Sequence, residues 1–139
     1  VVDIHFDYRL ALECVEAGAD KVRINPGNYR TDRGELEELI ARCRERGVAL
    51  RIGVNHGSLA KRVFDQWGDT PQGMVVSAME FLRVCKAHGF DQVVVSMKSS
   101  NTRVMVAAYR LWMPRICTIR STWASPRQAA ASRGVSRAP

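Results

Sequence analysis

The feature that most constrains this chain is the stretch from Leu50 to Asn55, in which apolar residues alternate strictly with polar or small ones. Alternation of period two is typical of a β-strand whose two faces have different surroundings. Three other segments, around Ile4, Arg23 and Ser96, alternate in the same way. The sequence therefore predicts four strands, each with one apolar and one polar face: Val1–Phe6, Asp20–Asn25, Val48–Asn55 and Val93–Lys98.

Helical patterns separate these strands, which favours parallel strands joined by crossover helices. Parallel sheets are normally covered on both faces, so the polar face needs an explanation. A closed barrel provides one, because the apolar sides pack on outer helices while the polar sides converge near the C-terminal rim, where such barrels hold their active sites. The side chains expected inside are Asp3, His5, Arg23, Asn25, Arg51, Asn55, Ser96 and Lys98.

Three of these side chains, Arg23, Arg51 and Lys98, are cations. Holding three positive charges in one lumen is costly unless an anion joins them. The pattern therefore predicts a binding site for a phosphorylated ligand.

The chain length limits the barrel. With 139 residues, the chain is one domain in size and well short of the roughly 250 residues of an eight-stranded barrel. It opens on Val1, in a segment that is already strand-like, so we expect a fragment cut at its N-terminus. The predicted fold is α/β, a partial TIM-type barrel of about four parallel strands with flanking helices and an irregular C-terminal tail.

The basic charge of the chain is concentrated in that tail. The formal net charge is +7, but five arginines and no acidic residue follow Met113, which leaves +2 for the first 112 residues. Apart from Trp123, the tail has no aromatic residue of the kind that interleaves with basic residues in nucleic-acid-binding segments. We therefore expect a partial barrel over residues 1–112, a disordered tail over 113–139, and no nucleic-acid partner.

Four cysteines, Cys14, Cys43, Cys85 and Cys117, lie far apart and form no C-x-x-C pair. Buried, reduced thiols are expected, and no metal site. No window has the ~20 apolar residues of a membrane span, so no membrane association is expected.

Local signals also predict where helices begin and end. The last helix is predicted to end near Trp112. Glycines 18, 47 and 89 are predicted to close three earlier helices. The predicted N-terminal caps are Asp7, Asp32 (paired with Glu35), Ser58, Thr70 (followed by Pro71) and Asn101.

Four segments at the predicted strand ends, DIHFDYRLAL, KVRINPGN, RIGVNHGSL and VVSMKSSN, together resemble the barrel domain of 4-hydroxy-3-methylbut-2-enyl diphosphate synthase, the iron–sulfur enzyme of the non-mevalonate isoprenoid pathway. The stretches WGDTPQGMVVSAMEFLRVCKAHGF and MVAAYRL look most like the long form found in plastids and some bacteria. The resemblance covers Val1 to about Trp112.

The resemblance implies an enzyme that reductively opens 2-C-methyl-D-erythritol 2,4-cyclodiphosphate to 4-hydroxy-3-methylbut-2-enyl diphosphate. It implies a [4Fe–4S] cluster, fed by ferredoxin or flavodoxin and carried on a separate C-terminal domain by three cysteines and a glutamate. In the implied homodimer this domain closes over the partner's barrel. The implied location is the bacterial cytoplasm or the plastid stroma.

By the same resemblance, Arg23, Arg51 and Lys98 would be the cations that hold the diphosphate. Hydrogen bonds would come from Asn25, Asn55 and Ser99, His5 and His56 would lie beside the substrate, and His5 and Lys98 would be the catalytic residues. Arginine forks suit two-point contacts with phosphate oxygens, while lysine acts as a point charge.

The chain also departs from the family. The first barrel strands and the cluster domain are missing, and none of the four cysteines lies in a cluster-ligand motif. The family continues with a strand reading roughly YPLHLGVTEAG, which the tail does not contain. We therefore hypothesise that Met113 to Pro139 is an out-of-frame translation, and that the product alone has neither a cluster nor turnover.

Two other functions remain open at this point. One is a different phosphate-binding barrel enzyme, of aldolase type, that uses Lys98 as an amine nucleophile. The other is a nucleic-acid-binding protein that acts through the arginine tail.

Overall fold

The structure, a computed structural model, describes residues 1–4, 7–28 and 34–122, the last seven of these by their backbone only. Strands and helices alternate along the chain, as the sequence predicts. The elements are β1 (Val2–Asp3), α1 (Tyr8–Glu16), β2 (Lys21–Ile24), a 3-10 turn (Pro26–Asn28), α2 (Glu35–Arg46), β3 (Ala49–Asn55), α3 (Lys61–Trp67), α4 (Pro71–Ala87), β4 (Val93–Lys98) and α5 (Thr102–Thr122).

The described strands form one parallel sheet in the order β1-β2-β3-β4. Each crossover between parallel strands is right-handed. Because the strands lie in the sheet in the same order as in the chain, all the crossover helices pack on one side of the sheet. This is the winding of a barrel, whereas a doubly wound sheet reverses its strand order. The predicted fold class, a partial barrel of four parallel strands, is confirmed.

The core lies between the apolar face of the sheet and these helices. Leu50, Ile52 and Val54 of β3 are at most 1% exposed, and Val22 and Ile24 of β2 are fully buried. Buried side chains of α1, α2 and α4 cover them. Since burying one large aliphatic side chain contributes about 1.5–3 kcal/mol, this face holds the sheet to its helices.

Three predicted helix caps are confirmed. Asp7 accepts a hydrogen bond from the Arg9 amide (2.9 Å), Thr70 from the Gly73 amide (3.1 Å), and Asn101 from the Arg103 amide (3.0 Å). Each of these bonds satisfies an amide that the first turn of a helix leaves without a partner.

The cap predicted at Ser58 is wrong. Helix α3 begins three residues later, at Lys61, with Ala60 at its N-cap and no side-chain cap. The Ser58 hydroxyl is used elsewhere, because its Oγ accepts from Nδ2 of Asn25 (3.0 Å) and donates to the Asn55 carbonyl (3.4 Å). The predicted cap Asp32 lies outside the described residues.

The C-terminal ends of three helices repeat one unit, a cysteine followed four residues later by a glycine. The glycines have φ values of +89°, +68° and +63°, a region that costs other residues energy. In each unit the cysteine carbonyl accepts the amide of the residue after the glycine, the bond of a Schellman motif. The pairs are Cys14 and Ala19 (3.0 Å), Cys43 and Val48 (2.9 Å), and Cys85 and Phe90 (2.9 Å).

Helix α5 is longer than the sequence predicts. It continues past Trp112 to Thr122 and contains Pro114, although proline inside a helix costs about 3 kcal/mol. Ala108 and Trp112 are buried against the core and anchor the helix before the proline. Neither α5 nor any other described helix is both long and apolar enough to cross a membrane. The boundary predicted at residue 112 stays a prediction, and residues 123–139 lie outside the described part.

Candidate anion-binding site

The side of the sheet opposite the core carries the predicted polar residues in rows. Strand register places Arg23 beside Arg51, then Gly53 beside Ser96, then Asn55 beside Lys98. We call this surface, with Asp3 beside Arg23, the polar face. Its last row lies where β3 and β4 end, which is the rim where barrels of this kind place their active sites.

Both arginine side chains on the polar face extend toward that rim. A Cβ atom added at Gly53 would lie 2.6 Å from Nε and 2.8 Å from Nη2 of Arg23, so the guanidinium lies over this glycine. Nε of Arg51 lies 3.4 Å from Oγ of Ser96. Because Gly53 and Ser96 are register partners, the two guanidinium groups reach the same row.

Lys98 and Asn55 form the next row. Two residues of a strand span about 7 Å, so the lysine begins about one row above the two guanidinium groups. A lysine side chain is long enough to cover that separation. Strand register thus places all three predicted cations on one face of the sheet, and their contact with a ligand stays a prediction.

The charge of the polar face is not balanced. Arg23 forms an ion pair with Asp3 and is 18% exposed at its side chain. Arg51 and Lys98 are exposed, and neither has a carboxylate within 4.0 Å among the described residues. Like charges on neighbouring strands repel each other, and an anion bound between them removes that repulsion.

Asn55 contributes an unusual acceptor to the same row. Its Oδ1 atom is buried, and no hydrogen-bond donor of the described residues reaches it. A buried polar atom without a partner costs about 1–3 kcal/mol, so such atoms are rare and call for an explanation. A donor on a bound ligand would satisfy it.

Asn25 ties two loops of the rim together. The residue is 7% exposed; its Oδ1 accepts the Gly27 amide (3.0 Å) and its Nδ2 donates to Oγ of Ser58 (3.0 Å). Gly27 lies so close to the Ser58 carbonyl that any side chain there would clash. Asn25 therefore links the loop after β2 to the loop after β3. Its direct contact with a ligand stays a prediction.

The remaining predicted site residues are not all brought to the polar face. Nε2 of His56 lies 3.1 Å from the carbonyl oxygen of Asp69, in the turn between α3 and α4. Ser99 follows Lys98 at the end of β4, and its Oγ accepts the Asn101 amide (3.1 Å). His5 lies outside the described residues. The polar face thus brings together Arg23, Arg51, Asn55 and Lys98.

Sequence reasoning missed three residues that shape this site. Gly53 provides the space for the Arg23 guanidinium, Ser58 receives the bond from Asn25, and Asp69 holds the loop after β3. A glycine in the middle of an alternating strand is a signal of close approach by another group. The roles of Ser58 and Asp69 depend on partners distant in the chain and had no such signal.

The described residues do not fit an iron–sulfur cluster. They contain no group of three or more His, Cys, Asp or Glu side chains placed to hold a metal ion. Cys43 and Cys85 are fully buried, and burial raises the pKa of each thiol from 9.0 to about 12. Because the thiolate is the ligand form of cysteine, these two positions disfavour metal binding.

Comparison with known proteins agrees with this fold. Residues 1–118 match the model of a protein family described as the GcpE TIM-barrel domain. Among curated relatives, a "4-hydroxy-3-methylbut-2-en-1-yl diphosphate synthase (flavodoxin)" from Leptospira interrogans is 45% identical over 135 residues, covering 83% of this chain and 20% of that protein.

Two further relatives carry the same name. The protein from Anoxybacillus flavithermus is 51% identical over 110 residues, covering 78% of this chain and 30% of that protein. The protein from Chlamydia caviae is 48% identical over 131 residues, covering 79% and 22%. The chain thus spans only 20% to 30% of the length of these relatives. Since the family match covers most of the chain, the chain belongs to the GcpE TIM-barrel domain family.

Proposed function

We propose that this chain is the diphosphate-binding part of the barrel of a 4-hydroxy-3-methylbut-2-enyl diphosphate synthase. In the proposed reaction, 2-C-methyl-D-erythritol 2,4-cyclodiphosphate is opened reductively for isoprenoid biosynthesis. The observation that carries the proposal is the convergence of Arg23, Arg51 and Lys98 on one face of the sheet. The names of the relatives support this reaction over the aldolase and the nucleic-acid alternatives.

The proposed role of the cations follows from their chemistry. Two guanidinium groups in one row can each make two parallel bonds to phosphate oxygens, and Lys98 adds a point charge in the next row. Opening the ring breaks a C–O bond and leaves negative charge on the departing phosphate oxygen. A fixed cation beside that oxygen stabilises the developing charge, which is the catalytic role proposed for Lys98. His5 is proposed to lie beside the substrate.

The unpaired acceptor of Asn55 supports a ligand that carries a hydroxyl group next to its phosphates. The cyclodiphosphate is esterified at two of the four oxygens of methylerythritol, so two hydroxyl groups remain free to donate. Inorganic pyrophosphate has no such carbon-bound hydroxyl. We therefore propose that Asn55 distinguishes the substrate from simple diphosphates.

The electron-transfer part of the reaction is proposed to lie outside the described residues. The [4Fe–4S] cluster would be held by another part of the enzyme, since these residues offer it no ligands. Flavodoxin as electron donor is supported by the names of the relatives, and ferredoxin is the alternative. A homodimer and a bacterial cytoplasmic or plastid location complete the proposal.

Residues 113–139 are proposed not to belong to the barrel. The family match ends at residue 118, shortly after this boundary. Reading the coding DNA in the alternative frame from about codon 113 tests the idea, because that frame should encode the missing strand. If it encodes another sequence, the frameshift hypothesis is wrong.

Isothermal titration calorimetry of the 139-residue chain tests the proposed site. We expect inorganic pyrophosphate and the cyclodiphosphate to bind, and Arg51→Ala to weaken both by at least about tenfold, since bonds to charged groups contribute about 1.5–3 kcal/mol. Arg83→Ala is the matched control, because Arg83 is an exposed cation on α4, away from the polar face.

Two outcomes would contradict the proposal. One is a wild-type chain that binds neither ligand at millimolar concentration. The other is an equal loss of affinity in Arg51→Ala and Arg83→Ala, which would mean that only net charge matters. A substrate imine trapped on Lys98 by borohydride would support the aldolase alternative instead.

A further inference from the structure

A second set of contacts joins the loop after β3 to the turn before α4. The Gly57 amide donates to Oδ1 of Asp69 (3.0 Å). Nε2 of His56 lies 3.1 Å from the Asp69 carbonyl oxygen and 3.5 Å from its Oδ2. One residue, Asp69, therefore holds two successive residues of the loop. Both follow Asn55 directly in the chain.

Asp69 is itself fixed to a rigid helix. The next residue, Thr70, caps α4 and also donates its hydroxyl to the Trp67 carbonyl (2.8 Å). Helix α4 has 17 residues, and its first turns bury Met74, Val75 and Ala78 in the core. The loop that follows Asn55 is thus positioned relative to α4, a well-packed element.

The opposite side of the same loop is held from β2. The Ser58 amide donates to the Asn55 carbonyl (3.2 Å), and Ser58 receives the bond from Asn25 described above. Asn55 therefore lies between two sets of hydrogen bonds, one made by Asn25 and one by Asp69. Asn25 follows strand β2, whereas Asp69 precedes helix α4.

We propose that Asp69 is a positioning residue for the anion site. By holding Gly57 and His56, it fixes the position of the Asn55 side chain on the polar face, beside Lys98. This inference rests on the proposed function, since it assumes that the polar face binds a diphosphate. Asp69 makes no contact with the ligand in this role.

An explanation based on charge alone predicts the opposite change in affinity when Asp69 is removed. A carboxylate near a cationic site weakens anion binding, so removing it should tighten binding if only electrostatics mattered. Loss of positioning should weaken binding. The direction of the change in affinity therefore separates the two explanations.

The first experiment measures the affinity of the 139-residue chain for the cyclodiphosphate and for inorganic pyrophosphate by calorimetry. We expect Asp69→Ala to raise the Kd for the cyclodiphosphate about fivefold, the effect of one lost hydrogen bond to Asn55, and to leave the Kd for pyrophosphate within about twofold of wild type. Asp69→Asn keeps an oxygen that can accept the Gly57 amide, so its Kd should stay within about twofold of wild type. Asp65→Ala is the control for charge, because Asp65 is an exposed carboxylate on α3.

The second experiment measures hydrogen exchange of the Gly57 amide by NMR, together with the melting temperature, and needs no ligand. Asp69→Ala should speed this exchange and leave the melting temperature nearly unchanged, and Asp69→Asn should restore protection. Unchanged exchange in Asp69→Ala, or a Kd for the cyclodiphosphate equal to or below that of wild type, would overturn the inference. A wild-type chain that binds neither the cyclodiphosphate nor pyrophosphate would overturn the proposed function, while Gly57 exchange would still decide whether Asp69 holds the loop.

Discussion

The two ends of the sheet differ in how completely their polar and charged groups are paired. Where the helices return to the strands, the same cysteine–glycine unit closes α1, α2 and α4, and its carbonyls are hydrogen-bonded each time. Where the strands end, Arg51 and Lys98 lack carboxylate partners among the described residues, and Asn55 holds an unpaired acceptor. The difference supports the proposal that one end of the fold provides stability and the other binds a ligand, the division typical of this class of barrel.

The two faces of β3 also differ, since one is buried in the core and the other is exposed. The largest predicted effect tests this difference. Ile52→Ala removes a fully buried side chain and should lower the free energy of unfolding by about 2–5 kcal/mol. Arg51→Ala, one residue away on the exposed polar face, should change it by no more than about 0.5 kcal/mol. Urea denaturation of both variants measures the difference. Similar losses would mean that the two faces of β3 are equally packed.

Gly53→Ala tests the end of the sheet that is proposed to bind a ligand. A methyl group there would displace the Arg23 guanidinium, whose Nε lies 2.6 Å from that position, because a flexible side chain shifts more easily than the backbone. We expect the Kd for pyrophosphate to rise several-fold, about 1 kcal/mol, with little loss of stability. Calorimetry and a thermal melt measure the two quantities. An unchanged Kd would show that Arg23 does not act from its position over Gly53.

Gly47→Ala tests the opposite end. Its φ is +68° and open space surrounds the position, so the added methyl group meets no atom but strains the backbone. The free energy of unfolding should fall by about 1 kcal/mol, while the affinity for pyrophosphate stays unchanged. Gly47→Ala should therefore lower stability without changing binding, whereas Gly53→Ala should weaken binding with little loss of stability. A loss of affinity in Gly47→Ala would show that the two ends are coupled.

A further expected effect is a dependence of stability on pH above 9. Burial raises the pKa of Cys43 and Cys85 to about 12, so the unfolded state loses these protons near pH 9 and the folded state does not. The stabilisation is complete below pH 9 and is lost as the pH rises toward 12. Urea denaturation at pH 8 and pH 10 measures this loss.

Alkylation provides a direct check of the same thiols. At pH 8, iodoacetamide should modify the half-buried Cys14 before Cys43 or Cys85, as read by peptide mass spectrometry. Rapid labelling of Cys43 in the folded chain would contradict the packing of α2 against the core.

Local signals predicted much of the fold. Strand β4 has the predicted bounds, β2 and β3 agree to within one residue at each end, and the caps at Asp7, Thr70 and Asn101 are confirmed. These features depend on residues two to four positions apart, which the chain itself brings together. The failure at Ser58 depends on a distant residue, because Ser58 bonds to Asn25, 33 positions away. Helix α5 continues past Trp112 although Pro114 is a local stop signal, so that signal did not set its end.

The amino-acid sequence by itself determined which side chains share a face, because successive residues of a strand must point to opposite sides. It thereby placed Arg23, Arg51, Asn55 and Lys98 on one surface before any fold was known. Only the tertiary structure decided that the Arg23 guanidinium lies over Gly53 and that His56 turns toward Asp69. Those contacts depend on strand register and on how each helix packs, which no local pattern specifies.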